Sequence, residues 1–258
     1  FRDEDLRADR QPEFTQIDLE MSFVDENDIM NIAEGFIRSA FKCILDIDIE
    51  LPLLRLTYNE AMNRFGSDKP DMRFGLELCD ITELLQNTEF RVFSGAISEG
   101  GSVRAINVKN CADKLTRKDI DKLSVWIKDY GAKGLAWTKI NKDGSSSSSY
   151  EKFLSESEAK SIREKLSAQN GDILFIVASD DNQVVFDSLG ALRCELAKKL
   201  DLIDITKPNL LWVTDFPLFE YDKDENRYVA KHHPFTHPNL EDIDKLESDP
   251  GSVRAIAY

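Results

Sequence analysis

Two β-rich segments of this chain are separated by a long stretch in which short strands alternate with helices. Residues 14–23 alternate apolar and polar side chains, which is the period-2 pattern of a strand with one buried face. Strand-like runs return at 210–216 and 227–230, after Pro208. Turn-forming residues at 66–71 mark the start of the middle stretch. This order predicts an α+β fold in which one β-rich domain is interrupted by an inserted domain and then resumed.

Two helices are predicted before the middle stretch. Apolar residues recur at three- and four-residue steps from Ile29 to Ile44, and Asp25 or Asn27 can cap the N-terminus of this helix. A shorter helix is predicted over 56–65. The long helix is expected to cover the apolar side of a sheet.

The middle stretch contains clear helix signals. Thr116 and Ser155 each begin a helix, because an acidic residue three positions later completes a capping box. A further helical pattern covers 184–200. Residues 142–149 contain five serines and an Asp-Gly pair, so a mobile surface loop is expected there. The predicted strands are 90–93, 103–108, 135–140 and 173–177. The three predicted parts of the chain are residues 1–70, 72–200 and 205–258.

Composition restricts the class of protein. The 48 acidic residues outnumber the 33 basic residues and give a formal net charge of −15, which argues against a simple basic nucleic-acid-binding domain. A local cationic pocket for one nucleotide is still compatible with this charge. We expect no membrane insertion, because no apolar run has the length to span a bilayer. The four cysteines form no C-x-x-C pair, which favours reduced thiols and a cytoplasmic protein.

Both ends of the sequence have the character of structured segments. The chain begins with Phe1 rather than Met, and it ends at Tyr258 without a helix stop or a polar tail. We therefore expect an internal fragment of a larger protein.

The densest polar cluster lies at the start of the chain. Arginine and acidic residues crowd positions 2–13, directly before the alternating segment. A hairpin would bring Arg2 and Glu4 close to Gln16 and Asp18. Arginine suits phosphate oxygens, because its planar guanidinium stays charged and offers a fork of donors. A solvated, salt-bridged hairpin is the alternative, and composition alone favours it.

All three histidines, His232, His233 and His237, fall within six residues. Adjacent histidines on an extended segment point to opposite sides, so a zinc site shared by the first two is geometrically awkward. A loop facing a ligand is the better functional interpretation. Chance clustering on a surface turn is the alternative, because Pro234 and Pro238 indicate irregular backbone.

Several strings of this sequence resemble motifs of one protein family. Residues 1–4 followed by 10–18 resemble motif 2 of the class II aminoacyl-tRNA synthetases, in the form typical of bacterial-type aspartyl-tRNA synthetases. The strings at 66–71, 212–219 and 232–236 give independent support in the family's order. The resemblance covers essentially the whole chain.

The resemblance implies a fold and a domain order. Residues 1–70 and 205–258 would belong to the antiparallel-sheet catalytic domain of the class II enzymes. Residues 72–200 would form the α+β insertion known as the GAD domain, whose role these residues do not indicate.

The resemblance also implies roles for individual residues. Arg2 would be the catalytic residue, because it would hold the α-phosphate of ATP and stabilise the charge that develops there. His232 would make the more direct of the two histidine contacts to aspartate. The implied ATP-binding residues are Arg2, Asp3, Glu4, Arg10, Gln11, Phe14 and Gln16. The implied aspartate-binding residues are Asp18, His232 and His233. No metal-ligating residue is implied within the chain.

The implied reaction has two steps, in which aspartate and ATP form an adenylate and the aspartyl group then passes to tRNA. The implied partners are L-aspartate, ATP, Mg²⁺, tRNA(Asp) and a second subunit of a homodimer, with tRNA(Asn) left open. Motif 1, motif 3 and the anticodon-binding domain are not in this sequence, so the isolated fragment is expected to be inactive. The alternative is a tRNA-binding module, or a non-catalytic synthetase relative, that acts through the inserted domain.

Overall fold

A computed structural model describes residues 1–3 and 10–256 of the chain. The fold is α+β, as predicted, and it divides into two compact units, residues 1–52 and residues 53–258. Across the described ranges, none of the helices combines the length and apolarity that crossing a bilayer requires.

The first unit is built around one long helix, α1 (Glu26–Leu45). Asp25 is its N-cap, and the Asp25 and Asp28 side chains form a reciprocal capping box with each other's backbone N–H groups. The helix ends at Asp46, whose backbone is left-handed with a φ of 54°. Lys42 in the last turn pairs with Asp46 at 2.7 Å. The helix predicted from the Ile29–Ile44 pattern is therefore confirmed.

The strand predicted over 14–23 is wrong for this unit. The segment has no regular secondary structure, and both its apolar and its polar residues are exposed, with 78% of Ile17 and 59% of Leu19 accessible. Alternation supplies the two faces of a strand, but a strand forms only when a neighbouring backbone accepts its hydrogen bonds. No described element of residues 1–52 provides that neighbour.

The second unit contains a five-stranded antiparallel sheet in the order β2-β3-β6-β4-β5. Two smaller pairs accompany it, a parallel pair of β1 with β7 and a hairpin of β8 and β9. The strands are β1 (Leu54–Thr57), β2 (Cys79–Asp80), β3 (Ser102–Val108), β4 (Ala136–Ile140), β5 (Ser146–Ser148), β6 (Ile173–Ser179), β7 (Leu211–Thr214), β8 (Phe219–Asp222) and β9 (Arg227–Ala230). The helices are α2 (Tyr58–Phe65), α3 (Arg91–Ser98), α4 (Arg117–Trp126), α5 (Glu156–Lys165) and α6 (Asn182–Lys199).

Helices cover both faces of the five-stranded sheet. One face packs against α4 and α6 around Ile106, Phe175 and Leu192. The other face packs against α3 and α5 around Phe93 and Leu174. The central strands β3 and β6 are buried on both sides, which explains why β6 appears in the sequence as a continuous apolar run rather than an alternating one.

Two local predictions in this unit are wrong. Residues 90–93 were expected to form a strand but lead into α3, where Phe93 and Ala96 are buried at helical spacing. Part of the loop expected at 142–149 forms the edge strand β5, which pairs with β4. The Thr138 hydroxyl donates a hydrogen bond to the Ser148 hydroxyl at 2.8 Å, so this serine-rich strand is held by cross-strand bonds rather than by apolar burial.

The parallel pairing of β1 with β7 joins distant parts of the sequence. Leu54 lies opposite Leu211, and Thr57 lies opposite Thr214. An interrupted domain requires a contact of this kind between the segments before and after an insertion. The division into residues 1–70, 72–200 and 205–258 stays a prediction.

Candidate active site

The charged segment at the start of the chain is solvent-exposed. The Arg2 backbone N–H donates a hydrogen bond to the Pro12 carbonyl at 3.1 Å. Gln16 and Asp18 follow later along the same exposed segment. The predicted approach of Arg2 and Glu4 to Gln16 and Asp18 stays a prediction. The other predicted site residues described here are exposed, namely Asp3, Arg10, Gln11 and Phe14; Glu4 lies outside the described residues.

The two adjacent histidines have different environments in the second unit. The His232 ring is half-buried and meets the edge of Phe216 at a centroid distance of 5.1 Å. The His233 ring is exposed, and its Nδ1 accepts a hydrogen bond from the Phe235 backbone N–H at 3.1 Å. His232 therefore faces the protein, whereas His233 is used within its own turn.

Burial and neighbouring lysines favour the neutral form of the His232 ring by lowering its pKa. Burial lowers its pKa from the ordinary 6.5, and Lys231 and Lys69 lower it further, while Asp68 acts in the opposite direction. A neutral imidazole offers one N–H donor and one acceptor nitrogen. Charged residues of the 66–71 loop therefore act electrostatically on the histidine segment. In the sequence, these two segments were connected only because both resemble strings of the same family.

Aromatic and cationic side chains surround His232. Tyr58, at the start of α2, packs against Phe216 at 5.3 Å between ring centroids. Lys231 lies 5.4 Å from the centre of the Tyr58 ring and pairs with Glu220 at 3.3 Å. Sequence reasoning assigned no role to Tyr58, Phe216 or Lys231. For Phe216 and Lys231 the available signal was their position inside or beside the 212–219 and 232–236 strings; Tyr58 carried no such signal.

A charged network fixes the end of the described chain beside β7. Asp215 has a left-handed backbone with a φ of 55°, and its carboxylate lies 3.3 Å from Arg254. Arg254 also donates to Asp242 at 2.7 Å, and Lys245 pairs with Asp242 at 2.6 Å. The Asp242 side chain is only 1% exposed. Sequence reasoning missed this network, because its members lie up to 39 residues apart.

The Asp242 network predicts a pH-dependent contribution to stability. Hydrogen bonds from Arg254 and Lys245 hold the pKa of Asp242 well below its ordinary 3.8. A lowered folded-state pKa stabilises the fold above the unfolded value, and this contribution is lost as pH falls through the folded value. Asp242→Asn should therefore lower the urea midpoint clearly at pH 7 and by a smaller amount at about pH 2, because the contribution declines progressively below the unfolded value.

The matched control for this prediction is Asp244→Asn, an exposed carboxylate of the same short 3-10 helix, Leu240–Lys245. It should leave the urea midpoint close to wild type at both pH values. An Asp242→Asn effect of equal size at pH 7 and at about pH 2 would contradict the assigned role of the charge.

The comparisons with known proteins place these features in a family. Residues 1–258 match the family described as tRNA synthetases class II (D, K and N), so the chain belongs to the class II tRNA synthetases. It is similar to the aspartate–tRNA ligase of Ruminiclostridium cellulolyticum, with 55% identity over 258 residues. It is also 56% identical to the aspartate–tRNA(Asp/Asn) ligase of Caldanaerobacter subterraneus and 54% identical to the aspartate–tRNA ligase of Agathobacter rectalis.

These matches confirm the resemblance to the class II synthetases of the aspartate type. Each covers 100% of this chain and 43% of the relative's length. The chain thus spans less than half of the curated relatives that it matches.

Proposed function

We propose that this chain is part of an aspartate–tRNA ligase. The whole protein would join L-aspartate to ATP, release pyrophosphate and transfer the aspartyl group from the adenylate to tRNA. The observation that carries the proposal is the identity of 54–56% over the complete chain to relatives that bear this name. Residues 1–70 and 205–258 would contribute to the catalytic domain, and residues 72–200 would form its GAD-type insertion.

The exposed segment at the start of the chain would bind ATP. Arg2 would contact the α-phosphate, because a guanidinium matches phosphate oxygens with two parallel donors. Phe14 would stack on the adenine, and Arg10 would reach the terminal phosphates. The exposure of these side chains leaves them accessible to a nucleotide. The complete proposed set is Arg2, Asp3, Glu4, Arg10, Gln11, Phe14 and Gln16.

Aspartate would be bound by Asp18, His232 and His233. The Asp18 carboxylate would pair with the amino group of the substrate. The half-buried His232 ring, whose lowered pKa favours its neutral form, would donate an N–H hydrogen bond to a substrate carboxylate. The exposed His233 would contribute less, since its Nδ1 already accepts a bond from Phe235.

We propose Mg²⁺ as a partner of the nucleotide rather than as a resident metal of these residues. Among residues 1–3 and 10–256, no group of three or more His, Cys, Asp or Glu side chains is arranged to hold a metal ion. Mg²⁺ that accompanies a nucleotide is usually held by one or two carboxylates together with the phosphates, and we assign no step to the ion.

The macromolecular partners of the whole protein would be tRNA(Asp) and a second subunit, and its location the cytoplasm. One relative is named an aspartate–tRNA(Asp/Asn) ligase, so tRNA(Asn) is a second candidate acceptor. Charging assays with both purified tRNAs would separate the two specificities.

Amino-acid-dependent pyrophosphate exchange tests the proposed function. The protein that spans the full length of the relatives should exchange pyrophosphate with aspartate and respond at least about a hundredfold less to asparagine or glutamate, because a site built to pair with one carboxylate rejects analogues that leave its polar groups unpaired. Equal exchange with all three amino acids would contradict the proposed specificity for aspartate. No exchange with aspartate would contradict the proposed activity and favour a non-catalytic binding role.

A further inference from the structure

Helix α6 touches the 66–76 loop at the level of the backbone. A Cβ atom placed on Gly190 of α6 would lie 2.4 Å from the Gly66 carbonyl oxygen, and one placed on Gly66 would lie 2.3 Å from the Phe186 carbonyl oxygen. Real Cβ atoms do not approach oxygen so closely. Glycine at both positions therefore permits a contact that any side chain would push apart.

Three residues after Gly190, Arg193 fastens the rest of the same loop. Its side chain is 1% exposed and donates to the backbone carbonyls of Asp71 at 2.8 Å, Gly75 at 2.5 Å and Leu76 at 3.3 Å. The guanidinium also lies 4.4 Å from the centre of the Phe74 ring. The buried Arg193 guanidinium thus binds the loop at three backbone carbonyl groups.

The chemistry of this contact is specific to arginine. Burial lowers the pKa of Arg193, but a guanidinium remains charged in proteins at neutral pH. Its planar fork can serve several carbonyl oxygens at once, whereas the ammonium of lysine is a compact point charge. An ion pair within the loop also stabilises its conformation, since Arg73 pairs with Asp71 at 2.7 Å.

The fastened loop continues directly from helix α2, whose C-cap is Gly66 and whose first residue, Tyr58, packs against the Phe216 ring that contacts His232. Asp68 and Lys69 lie between the two attachment points, and both influence the pKa of His232. The N-terminal end of α6 makes a second attachment, because its N-cap Asp181 pairs with Lys223 in the turn of the β8–β9 hairpin. Helix α6 is therefore attached to segments on both sides of the predicted insertion.

We propose that Gly190 and Arg193 are positioning residues, through which helix α6 of the inserted part holds the 66–76 loop against the aspartate side of the site. The inference rests on the proposed function. It assigns the insertion a role in amino-acid affinity rather than in nucleotide binding. Neither residue is a catalytic residue, since both act through the loop.

The test compares Gly190→Ala and Arg193→Lys with Gly95→Ala in the protein that spans the full length of the relatives. Gly95 lies in helix α3, where an added Cβ meets nothing within 4 Å. Both test variants should raise the KM for aspartate by about tenfold while changing kcat and the KM for ATP by less than about threefold. Gly95→Ala should leave all three constants unchanged.

Hydrogen exchange measured by mass spectrometry supplies the second readout. Peptides that cover 66–78 should exchange at least about tenfold faster in both test variants, because exchange reports local opening. Peptides from β3 and β6 should not change. Using two chemically different variants keeps the test valid if one of them fails to fold.

Unchanged loop exchange together with an unchanged KM for aspartate would overturn the proposal. Faster hydrogen exchange throughout the five-stranded sheet, with kcat falling as much as kcat/KM for aspartate, would also overturn the proposal. That result would show that Gly190 and Arg193 have a purely structural role. If the wild-type protein shows no aspartate-dependent pyrophosphate exchange, the proposed function is contradicted instead. Amide hydrogen exchange would still show whether Gly190 and Arg193 hold the loop.

Discussion

Replacing Arg2 with alanine is expected to lower aspartate-dependent pyrophosphate exchange by about a hundredfold to a thousandfold, the cost of removing one donor aimed at developing charge. In the proposed reaction, negative charge builds on the α-phosphate as the aspartate carboxylate attacks it. A guanidinium already in place stabilises that charge without reorganisation. The loss should therefore appear mainly in kcat, with a smaller rise in the KM for ATP.

Two further variants make the Arg2 experiment specific. Arg2→Lys keeps the charge but loses the planar fork, so its rate should lie between those of wild type and Arg2→Ala. Arg91→Ala removes an exposed arginine at the start of helix α3 and should leave exchange unchanged. If Arg2→Ala retains nearly the wild-type rate, the phosphate contact has been assigned to the wrong residue.

The parts of the fold that sequence predicted best are those fixed by local interactions. Thr116 and Ser155 cap their helices through capping boxes whose two members lie three residues apart. The long helix α1 starts at the predicted cap Asp25. Such signals are complete within one turn of helix, so no knowledge of the tertiary fold is needed to read them.

Strand predictions depended on partners that the pattern does not contain. The best alternation in the chain, at 14–23, forms no strand among the described residues, whereas the serine-rich residues 146–148 form one because β4 lies beside them. The pairing of β1 with β7 links positions that are more than 150 residues apart. Backbone pairing of this range depends on the whole fold, so local pattern cannot predict it.

In the candidate site, too, features set by local sequence could be predicted and features set by long-range contacts could not. Alternation predicted that His232 and His233 point in opposite directions, and the structure confirms different environments for the two rings. The buried Arg193 could not be predicted, because its carbonyl partners lie 117 to 122 residues away and carry no side-chain signal. In the sequence it is one more arginine in an amphipathic helix.

Replacing His232 with alanine should reduce kcat/KM for aspartate by about a hundredfold, because a buried donor to a charged carboxylate is worth about 1.5–3 kcal/mol, and its loss also leaves that carboxylate unpaired. The loss should appear chiefly as a higher KM for aspartate, with the KM for ATP nearly unchanged. Steady-state pyrophosphate exchange with each substrate varied in turn measures both constants.

The adjacent His233→Ala variant is the matched control, because it changes the same residue type one position along the chain. Its exposed ring is engaged by the Phe235 backbone N–H, so its loss should lower kcat/KM for aspartate by no more than about tenfold. His232→Gln, which keeps an N–H donor, should recover part of the activity lost in His232→Ala. Equal losses for the two alanine variants would show that ring burial does not decide which histidine contacts aspartate, and a larger loss for His233→Ala would reverse the assignment.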